Sequence, residues 1–207
     1  MNKPARILLL VASLSICLLL AAASADEIAR LRGLMQWKAG QTLADVGAGA
    51  GEIGIAAAAV VGASGKVYLT ELDENKRKAL QGTVQRQGLK NVTVVQGEEK
   101  RTNLPDDCCD QIFLRRVYHH FTAPMEMDAS LFRSVKAGGA VAVIDFPPRK
   151  WLSENEPVKG VPANRGGHGI PEKILIQEMT TAGFTVEKTV NDWPEDSYCV
   201  IFRKAIR

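Results

Sequence analysis

The chain has 207 residues, 46% of them hydrophobic and 24% charged, which suits one globular domain with a full core. It carries 26 Lys and Arg residues against 23 Asp and Glu residues, and two of the cations, Lys3 and Arg6, fall within the first 25 residues. The rest of the chain therefore has a net charge of about +1, which gives no electrostatic basis for binding nucleic acid.

The first 25 residues have the layout of a secretory signal peptide. A short basic start precedes an almost unbroken apolar run over residues 7–23, and Ala23-Ser-Ala25 supplies small residues for a cleavage site. We predict cleavage after Ala25, export to the periplasm or the cell exterior, and a single domain over residues 26–207. The alternative is an uncleaved membrane anchor, because the run nearly reaches membrane-spanning length. Membrane association is expected only through this segment.

Three cysteines remain after such a cleavage: Cys108, Cys109 and Cys199. No Cys-x-x-Cys spacing is present for zinc or redox chemistry. We expect Cys199, which lies in an apolar strand pattern, to be a small buried residue. The alternative, in an oxidising compartment, is a vicinal disulfide between the adjacent pair or a disulfide to Cys199.

Strands and helices are predicted to alternate along the chain. Strands are expected at residues 41–46, 66–70, 91–96, 110–115, 140–145, 185–190 and 198–204, and helices at 26–35, 52–61, 73–87, 125–135 and 171–182. Residues 136–139 are predicted to turn, and residues 146–169 form a long segment without a clear period, a length typical of functional or mobile loops. The pattern predicts an α/β, Rossmann-like doubly wound sheet of seven strands. It is mostly parallel, with a C-terminal antiparallel hairpin.

The segment Leu43-Ala-Asp-Val-Gly-Ala-Gly-Ala-Gly-Glu-Ile-Gly54 is typical of a nucleotide-cofactor loop. Glycines at Gly47, Gly49 and Gly51 allow a sharp turn and a close approach of the backbone to a ligand. The helix that follows directs free N–H groups at the same point. The last six residues of the segment also match G-x-G-x-x-G, with an acidic residue about twenty positions on. An NAD(P)-dependent oxidoreductase is therefore an alternative.

The sequence resembles the class I S-adenosylmethionine-dependent methyltransferases over about residues 33–203. The residues that carry the resemblance are Ala44-Asp-Val-Gly-Ala-Gly-Ala-Gly51, Val67-Tyr-Leu-Thr-Glu-Leu72, Val94-Val-Gln-Gly-Glu98, Lys136-Ala-Gly-Gly139 and Ala182-Gly-Phe184. Two features favour this family over dinucleotide enzymes: the glycines directly follow Asp45, and the chain ends in a predicted hairpin. The resemblance implies S-adenosylmethionine as cofactor and methyl transfer to an unidentified, small-molecule acceptor.

The resemblance also implies roles for individual residues. Glu71 would accept the ribose hydroxyls, Glu98 (or its neighbour Glu99) the adenine amine, and Asp45 would lie beside the methionine ammonium. Asp73 is expected to be a helix N-cap rather than a ligand. The full set of predicted cofactor-binding residues is Asp45, Gly47, Ala48, Gly49, Gly51, Glu71, Leu72, Gly97, Glu98 and Arg115.

Acceptor groups are expected from the loops after the fourth and fifth strands. These loops offer Arg115, Arg116, Tyr118, His119, His120, Asp145, Arg149 and His168. The predicted catalytic candidates are His119, His120, His168 and Tyr118, because an acceptor that must lose a proton needs a base, and His is suited to that near neutral pH. A metal site built from the histidines is the less favoured alternative, since no carboxylate or cysteine spacing accompanies them, and we predict none. The two arginines favour an anionic acceptor.

Two further hypotheses concern the His168 loop and the functional class of the protein. His168 is flanked by Gly166, Gly167 and Gly169, so its loop could close over a substrate. A non-catalytic cofactor- or ligand-binding protein is the alternative from another functional class. It is favoured by the predicted compartment, because S-adenosylmethionine is made in the cytoplasm.

Overall fold

The computed structural model describes residues 25–195 and 197–206. Residues 25–35 form helix α1, as predicted, in a compact unit that ends at Gln36. A second unit begins at Trp37 and contains the elements described below. Apart from Ala25, the predicted signal peptide lies outside the described residues. Among the described residues, no helix combines the length and the apolar character needed to cross a membrane.

Seven strands form one sheet within the described residues. They are β1 (Thr42–Val46), β2 (Lys66–Glu71), β3 (Val92–Gln96), β4 (Cys109–Arg115), β5 (Val135–Asp145), β6 (Thr185–Trp193) and β7 (Ser197–Arg203). The helices of this unit are α2 (Glu52–Val61), α3 (Glu74–Arg86), α4 (Pro124–Ser134), α5 (Lys150–Asn155) and α6 (Glu172–Thr181). The strand order is β3-β2-β1-β4-β5-β7-β6, with the first five parallel and β7 antiparallel to β5 and β6. This confirms the predicted sheet and its terminal hairpin.

The central strands are buried on both faces, as their unbroken apolar sequence requires. In β5 every residue from Ala140 to Asp145 is buried. Helix α2 packs on the sheet through Ile53, Ala57 and Val61, which recur every four residues and are all buried. A Cβ on Gly54 would lie 2.1 Å from Leu69 Cδ2, so the missing side chain allows α2 to pack closely on β2.

Two local predictions were wrong in detail. Residues 136–139 do not turn: they belong to β5, whose pairing with β4 shifts register between Cys109, opposite Val135, and Gln111, opposite Ala140. The extra residues form a bulge. The segment 146–169 is also not featureless, because it contains α5 and a one-turn 3₁₀ helix at Ala163–Arg165.

Two predictions about single residues are confirmed. Asp73 is the N-cap of α3, and its carboxylate accepts a hydrogen bond from the Lys76 N–H at 2.8 Å. Cys199 is fully buried in β7. The three described cysteines form no disulfide in the structure, so it does not contain the alternative disulfides.

Candidate functional site

The cofactor loop lies where the sheet order reverses. Strand β1 pairs with β2 on one side and with β4 on the other. The strands that follow β1 are therefore added first on the β2 side and later on the β4 side. In open α/β sheets this switch point, at the carboxyl ends of the strands, opens a crevice for a ligand. The residues that follow β1, β2 and β4 therefore meet around one crevice.

Gly47 shows why the loop requires glycine. Its φ is +75°, and a Cβ there would lie 2.5 Å from Val117 Cγ2. The N–H groups of Gly47 and Ala48 both donate to the Thr70 carbonyl, at 3.0 and 2.9 Å, which ties the loop to the end of β2. A side chain at Gly47 would therefore strain the turn and fill the space beside Val117.

Glu71 joins the glycine loop to the start of α3. Its carboxylate accepts from the Gly49 N–H at 3.0 Å through Oε2 and from the Asp73 N–H at 3.0 Å through Oε1. A carboxylate accepts up to about four hydrogen bonds, so this fixed orientation leaves acceptor capacity for a ligand hydroxyl. The side chain is 8% exposed. The geometry is compatible with the predicted ribose role and adds a structural one that the sequence did not indicate.

Asp45 is a buried carboxyl at the end of β1. Its Oδ2 accepts from the Gly54 N–H of α2 at 3.0 Å. Burial raises the pKa of Asp45 to about 7, while the Gly54 hydrogen bond and the positive charge of Arg115 act in the opposite direction. Asp45 can therefore gain or lose a proton near neutral pH, and a cation bound beside it would favour the ionised form.

A cleft enclosing about 630 Å³ of space, part of it open to solvent, lies next to the loop. The lining residues are Val46, Gly47, Thr70, Leu72, Gly97, Glu98, Glu99, Arg101, Thr102, Val117, His120, Phe121, Thr122 and Met127. Five of the predicted site residues are among them: Gly47, Leu72, Gly97, Glu98 and His120. Asp45, Ala48, Gly49, Gly51, Glu71 and Arg115 do not line the cleft.

Glu98 is held at the cleft by its neighbours. Arg101 donates to both carboxylate oxygens, at 2.9 and 3.0 Å, and the Asn103 amide donates at 2.9 Å. The Arg101 hydrogen bonds hold the pKa of Glu98 below its usual range, so it remains an acceptor. Leu72, beside it, is 57% exposed, which leaves an apolar side chain at the edge of the cleft.

The three histidines meet beside the cleft, in the loops from which acceptor groups were predicted; this region is called the acceptor side. His119 and His120 lie on a one-turn 3₁₀ helix, Tyr118–His120, and one nitrogen from each of these rings and from His168 lies within 4.8 Å of the others. His119 is 2% exposed, and its Nδ1 lies 2.8 Å from Asp145 Oδ1. Desolvation lowers the pKa of His120 to about 4, and the other two rings act in the same direction. An imidazole oriented by a carboxylate is found both in general bases and in metal ligands.

Tyr118 departs from its predicted catalytic role. It is fully buried, does not line the cleft, and its hydroxyl lies 2.7 Å from Asp128 Oδ2 and 3.0 Å from Glu178 Oε2. Burial raises the pKa of Tyr118 well above its usual range. The ring therefore supports the loop from the core.

Arg116 and Arg149 are brought together at Glu195. The Arg116 guanidinium pairs with the Glu195 carboxylate, and the Arg149 guanidinium donates to the Glu195 carbonyl. Arg149 also lies over the Phe146 ring, 4.8 Å from its centroid, and Phe146 contacts the His119 ring at 4.9 Å. The two guanidinium groups thus lie over the Phe146 ring and are partly engaged by Glu195, and the preference for an anionic acceptor stays a prediction.

A family model described as the ubiE/COQ5 methyltransferase family matches residues 27–154. The chain belongs to this family. Membership confirms the resemblance found in the sequence and the class of cofactor, S-adenosylmethionine, over the dinucleotide alternative. The matched range contains the glycine loop, Glu71, Glu98, His119 and Asp145. It ends before His168.

Curated members of the family cover part of this chain. The chain is 28% identical over 120 residues to the ubiquinone/menaquinone biosynthesis C-methyltransferase UbiE of Marinomonas sp. (strain MWYL1), and 26% identical over 120 residues to UbiE of Pseudomonas putida. Both alignments cover 56% of this chain, and they cover 48% and 47% of the relatives. The chain thus spans about half the length of the curated relatives it matches.

Solved structures share the fold over most of the chain. A SAM-dependent methyltransferase from Aquifex aeolicus is 26% identical with a TM-score of 0.70, over 85% of this chain and 88% of that one. A geranyl diphosphate methyltransferase in complex with SAM has a TM-score of 0.73 at 13% identity, over 88% and 85%. The [4+2]-cyclase SpnF has a TM-score of 0.70 at 15% identity, over 87% and 81%. Because a cyclase shares the fold, the fold alone does not identify the reaction.

Sequence reasoning missed the residue that anchors the segment carrying His168. Arg165 is fully buried, and its guanidinium donates to the Tyr118 carbonyl at 2.6 Å and to Glu178 Oε2 at 2.6 Å. No local motif marks an arginine in a loop as buried. The available signal was indirect. Glu178 lies on α6, one turn after the buried Leu175, so an acidic side chain on the buried side of this helix indicates that a cation lies nearby.

Proposed function

We propose that the protein binds S-adenosylmethionine at the β1–β4 switch point and transfers its methyl group to a small-molecule acceptor. The observation that carries the proposal is the hydrogen bond from the Gly49 N–H to Glu71 Oε2, which fixes an acidic side chain against the glycine loop. Family membership supports the reaction class. The hydrogen bond and the family membership together favour a cofactor position next to the glycine loop and Glu71.

The cleft provides different chemistry along its length. Leu72, Gly97 and Glu98 suit an adenine: an apolar edge, a close backbone and an acceptor for an amine. Asp45 does not line the cleft, but it lies behind the glycine loop near the end of β1, and its carboxyl ionises beside a cation, which suits the ammonium of the methionine end. The reacting end would then face His120 and the surrounding apolar walls. Methyl transfer is a displacement at an already activated carbon, so holding the two reactants in line supplies much of the rate.

The acceptor that fits these walls is an apolar ring bearing an oxygen atom, of the phenol or quinol type. Val117, Phe121 and Met127 supply apolar contact, and the imidazoles lie beside them. The UbiE relatives are named for ubiquinone and menaquinone biosynthesis, which supports a quinone-type compound. The chain spans only about half of those relatives, so their names alone do not determine the acceptor, and the proposal depends on the residues that line the cleft of this chain.

Calorimetric titration of the full-length protein tests the cofactor. We expect binding of S-adenosylmethionine and S-adenosylhomocysteine and no binding of NAD. Glu71→Ala should reduce the affinity at least about tenfold, because it removes an acceptor and loosens the loop, and one charge-assisted hydrogen bond contributes about 1.5–3 kcal/mol. The matched control is Glu74→Ala, whose exposed carboxylate pairs with Lys78 on α3.

Tight NAD binding without any response to S-adenosylmethionine would contradict the proposal. A second assay follows transfer of an isotope-labelled methyl group to a panel of phenols and quinols. Binding without transfer to any of them would favour the non-catalytic alternative. Equal loss in Glu71→Ala and Glu74→Ala would show that the loop geometry does not determine cofactor binding.

We also propose that residues 1–25 direct export and are removed. The support is the basic, apolar and small-residue order of the leader. N-terminal sequencing of the protein from the extracytoplasmic fraction should begin at Asp26. A membrane-bound product that retains Met1 would instead support the anchor, and a cytoplasmic full-length product would contradict both.

A further inference from the structure

The chain has three histidines, and the fold brings all of them together. The centroids of the His119 and His120 rings lie 4.0 Å apart, and those of the His119 and His168 rings lie 5.2 Å apart with 29° between the ring planes. His119 and His120 follow β4, whereas His168 comes from the segment after β5. Three imidazoles from two separate loops thus converge at the side of the cleft that His120 lines.

The hydrogen bonds of His119 determine which of its nitrogens is free. Asp145 accepts from the His119 backbone N–H at 3.0 Å and from the Phe146 N–H at 2.9 Å, so its carboxylate acts as an acceptor. The Nδ1 of His119 therefore carries the hydrogen that it shares with Asp145 Oδ1. Its Nε2 keeps a lone pair, is buried, and has no hydrogen-bond partner within the described residues. A buried polar atom without a partner is costly, which points to a missing ligand.

His168 is also oriented through its Nδ1, but by a backbone carbonyl instead of a carboxylate. Its Nδ1 lies 2.6 Å from the Glu156 carbonyl oxygen, which can only accept, so this nitrogen also carries the hydrogen. The Nε2 of His168 is then left with a lone pair. Metal-binding histidines in proteins are usually oriented in this way, by a carboxylate or a backbone carbonyl on the other ring nitrogen.

We propose that His119, His120 and His168 together bind a divalent first-row transition-metal ion of the Zn²⁺ type. Three nitrogen ligands and no carboxylate in the set favour zinc, cobalt, nickel or copper over magnesium and calcium. Around a tetrahedral ion at about 2.0–2.1 Å, the nitrogens stand about 3.4 Å apart. In the structure these nitrogens lie within 4.8 Å of one another, so metal binding requires the rings to move inward, and His120 is the exposed one of the three.

Three protein ligands leave a fourth position on a tetrahedral ion, as in catalytic zinc sites. Because His120 lines the cleft, that position would face the acceptor, and it would take water or an acceptor oxygen. This last consequence rests on the proposed methyl transfer, whereas the metal site itself does not. If His119 acted instead as the general base, its Nε2 would have to be free to take the proton. The same nitrogen therefore cannot serve both as general base and as metal ligand.

The test uses the full-length protein, expressed without a polyhistidine tag and stripped with a chelator. Co²⁺ and Zn²⁺ are titrated by calorimetry, and bound Co²⁺ is followed by visible absorption. We expect one ion per chain, with the affinity reduced at least about 100-fold in His119→Ala, His120→Ala and His168→Ala. Asp145→Asn should weaken binding by about 10–100-fold, the usual effect of losing a carboxylate that orients a histidine ligand.

Two controls make the outcome decisive. Cys108→Ser should leave binding unchanged, because it removes the partly exposed thiol that could otherwise bind the ion, and weaker binding in this variant would contradict the three-histidine site. His120 is exposed, so His120→Ala should fold even if the buried variants do not. Absence of binding by the stripped protein, or unchanged affinity in His120→Ala, would overturn the proposal. S-adenosylmethionine titrated into the same samples separates this result from the proposed function, because either site can be present without the other.

Discussion

Replacing Arg165 with methionine removes the cation from a buried polar network. The guanidinium is fully buried and binds Glu178 Oε2, while Glu178 and Asp128 both lie within hydrogen-bond distance of the single Tyr118 hydroxyl. That hydroxyl has one proton for two carboxyl groups. Burial raises the pKa of Asp128 to about 7, with Glu178 adding to the effect, so the network is already short of positive charge.

Removing one partner of a buried ion pair costs about 3–5 kcal/mol. In a domain of this size, 1 kcal/mol corresponds to about 2–4 °C in Tm. Thermal unfolding of the Arg165→Met protein, followed by circular dichroism, should therefore show a Tm about 6–20 °C lower. Arg133→Met is the matched control, because Arg133 forms an exposed pair with Asp106 at 3.9 Å and such pairs contribute little.

The Glu178→Met single variant and the Arg165→Met/Glu178→Met double variant complete the cycle. Replacing both members of a buried pair by apolar groups of similar volume is often neutral or stabilising, so we expect most of the lost Tm to return. A Tm of Arg165→Met within about 2 °C of the wild type, or a double variant with a lower Tm than Arg165→Met, would refute the reasoning.

Two further predictions concern the cofactor loop. Only ionised Asp45 attracts the cofactor ammonium, and a pKa of about 7 makes its ionised fraction rise about tenfold from pH 6 to pH 8. The ratio of wild-type to Asp45→Asn affinity for S-adenosylmethionine, measured by calorimetry, should rise by that factor; a constant ratio would place the ammonium elsewhere. Gly47→Ala should weaken the same binding about tenfold or more, since Ala at φ +75° is strained and its Cβ meets Val117. Gly33→Ala, where a Cβ meets nothing within 4 Å, should not.

Local signals were sufficient for most of the fold and failed where pairing depends on partners elsewhere. Apolar runs and glycine breaks place the strands, because each reflects the burial and the turn of a few neighbouring residues. Residues 136–139 have the composition of a turn, yet they stay in β5 because the ladder with β4 absorbs them as a bulge. A bulge is a property of the pair of strands, so one strand's sequence does not show it.

The same division holds for the candidate site. The positions of Asp45 and Glu71 beside the glycine loop follow from the sequence, because each lies at or next to the last residue of a strand. Arg165 is missed because its partners, Tyr118 and Glu178, lie 47 and 13 residues away. The histidine cluster was not expected for the same reason. His168 lies far along the sequence from His119 and His120, and only the fold of segment 146–169 brings it next to them.

The two halves of the site therefore have different origins in the chain. The proposed cofactor half, built from the ends of β1 and β2 and from Glu98, lies inside the range matched by the family, residues 27–154. The proposed acceptor half combines His119 and His120, inside that range, with His168, Arg165 and Glu178 outside it. We accordingly expect the effects of Glu71→Ala and His168→Ala to separate: the first should remove S-adenosylmethionine binding and leave Co²⁺ binding intact, and the second should do the reverse. Loss of both ligands in either variant would show that the halves form one cooperative unit. In that case the acceptor half could not have changed independently of the cofactor half.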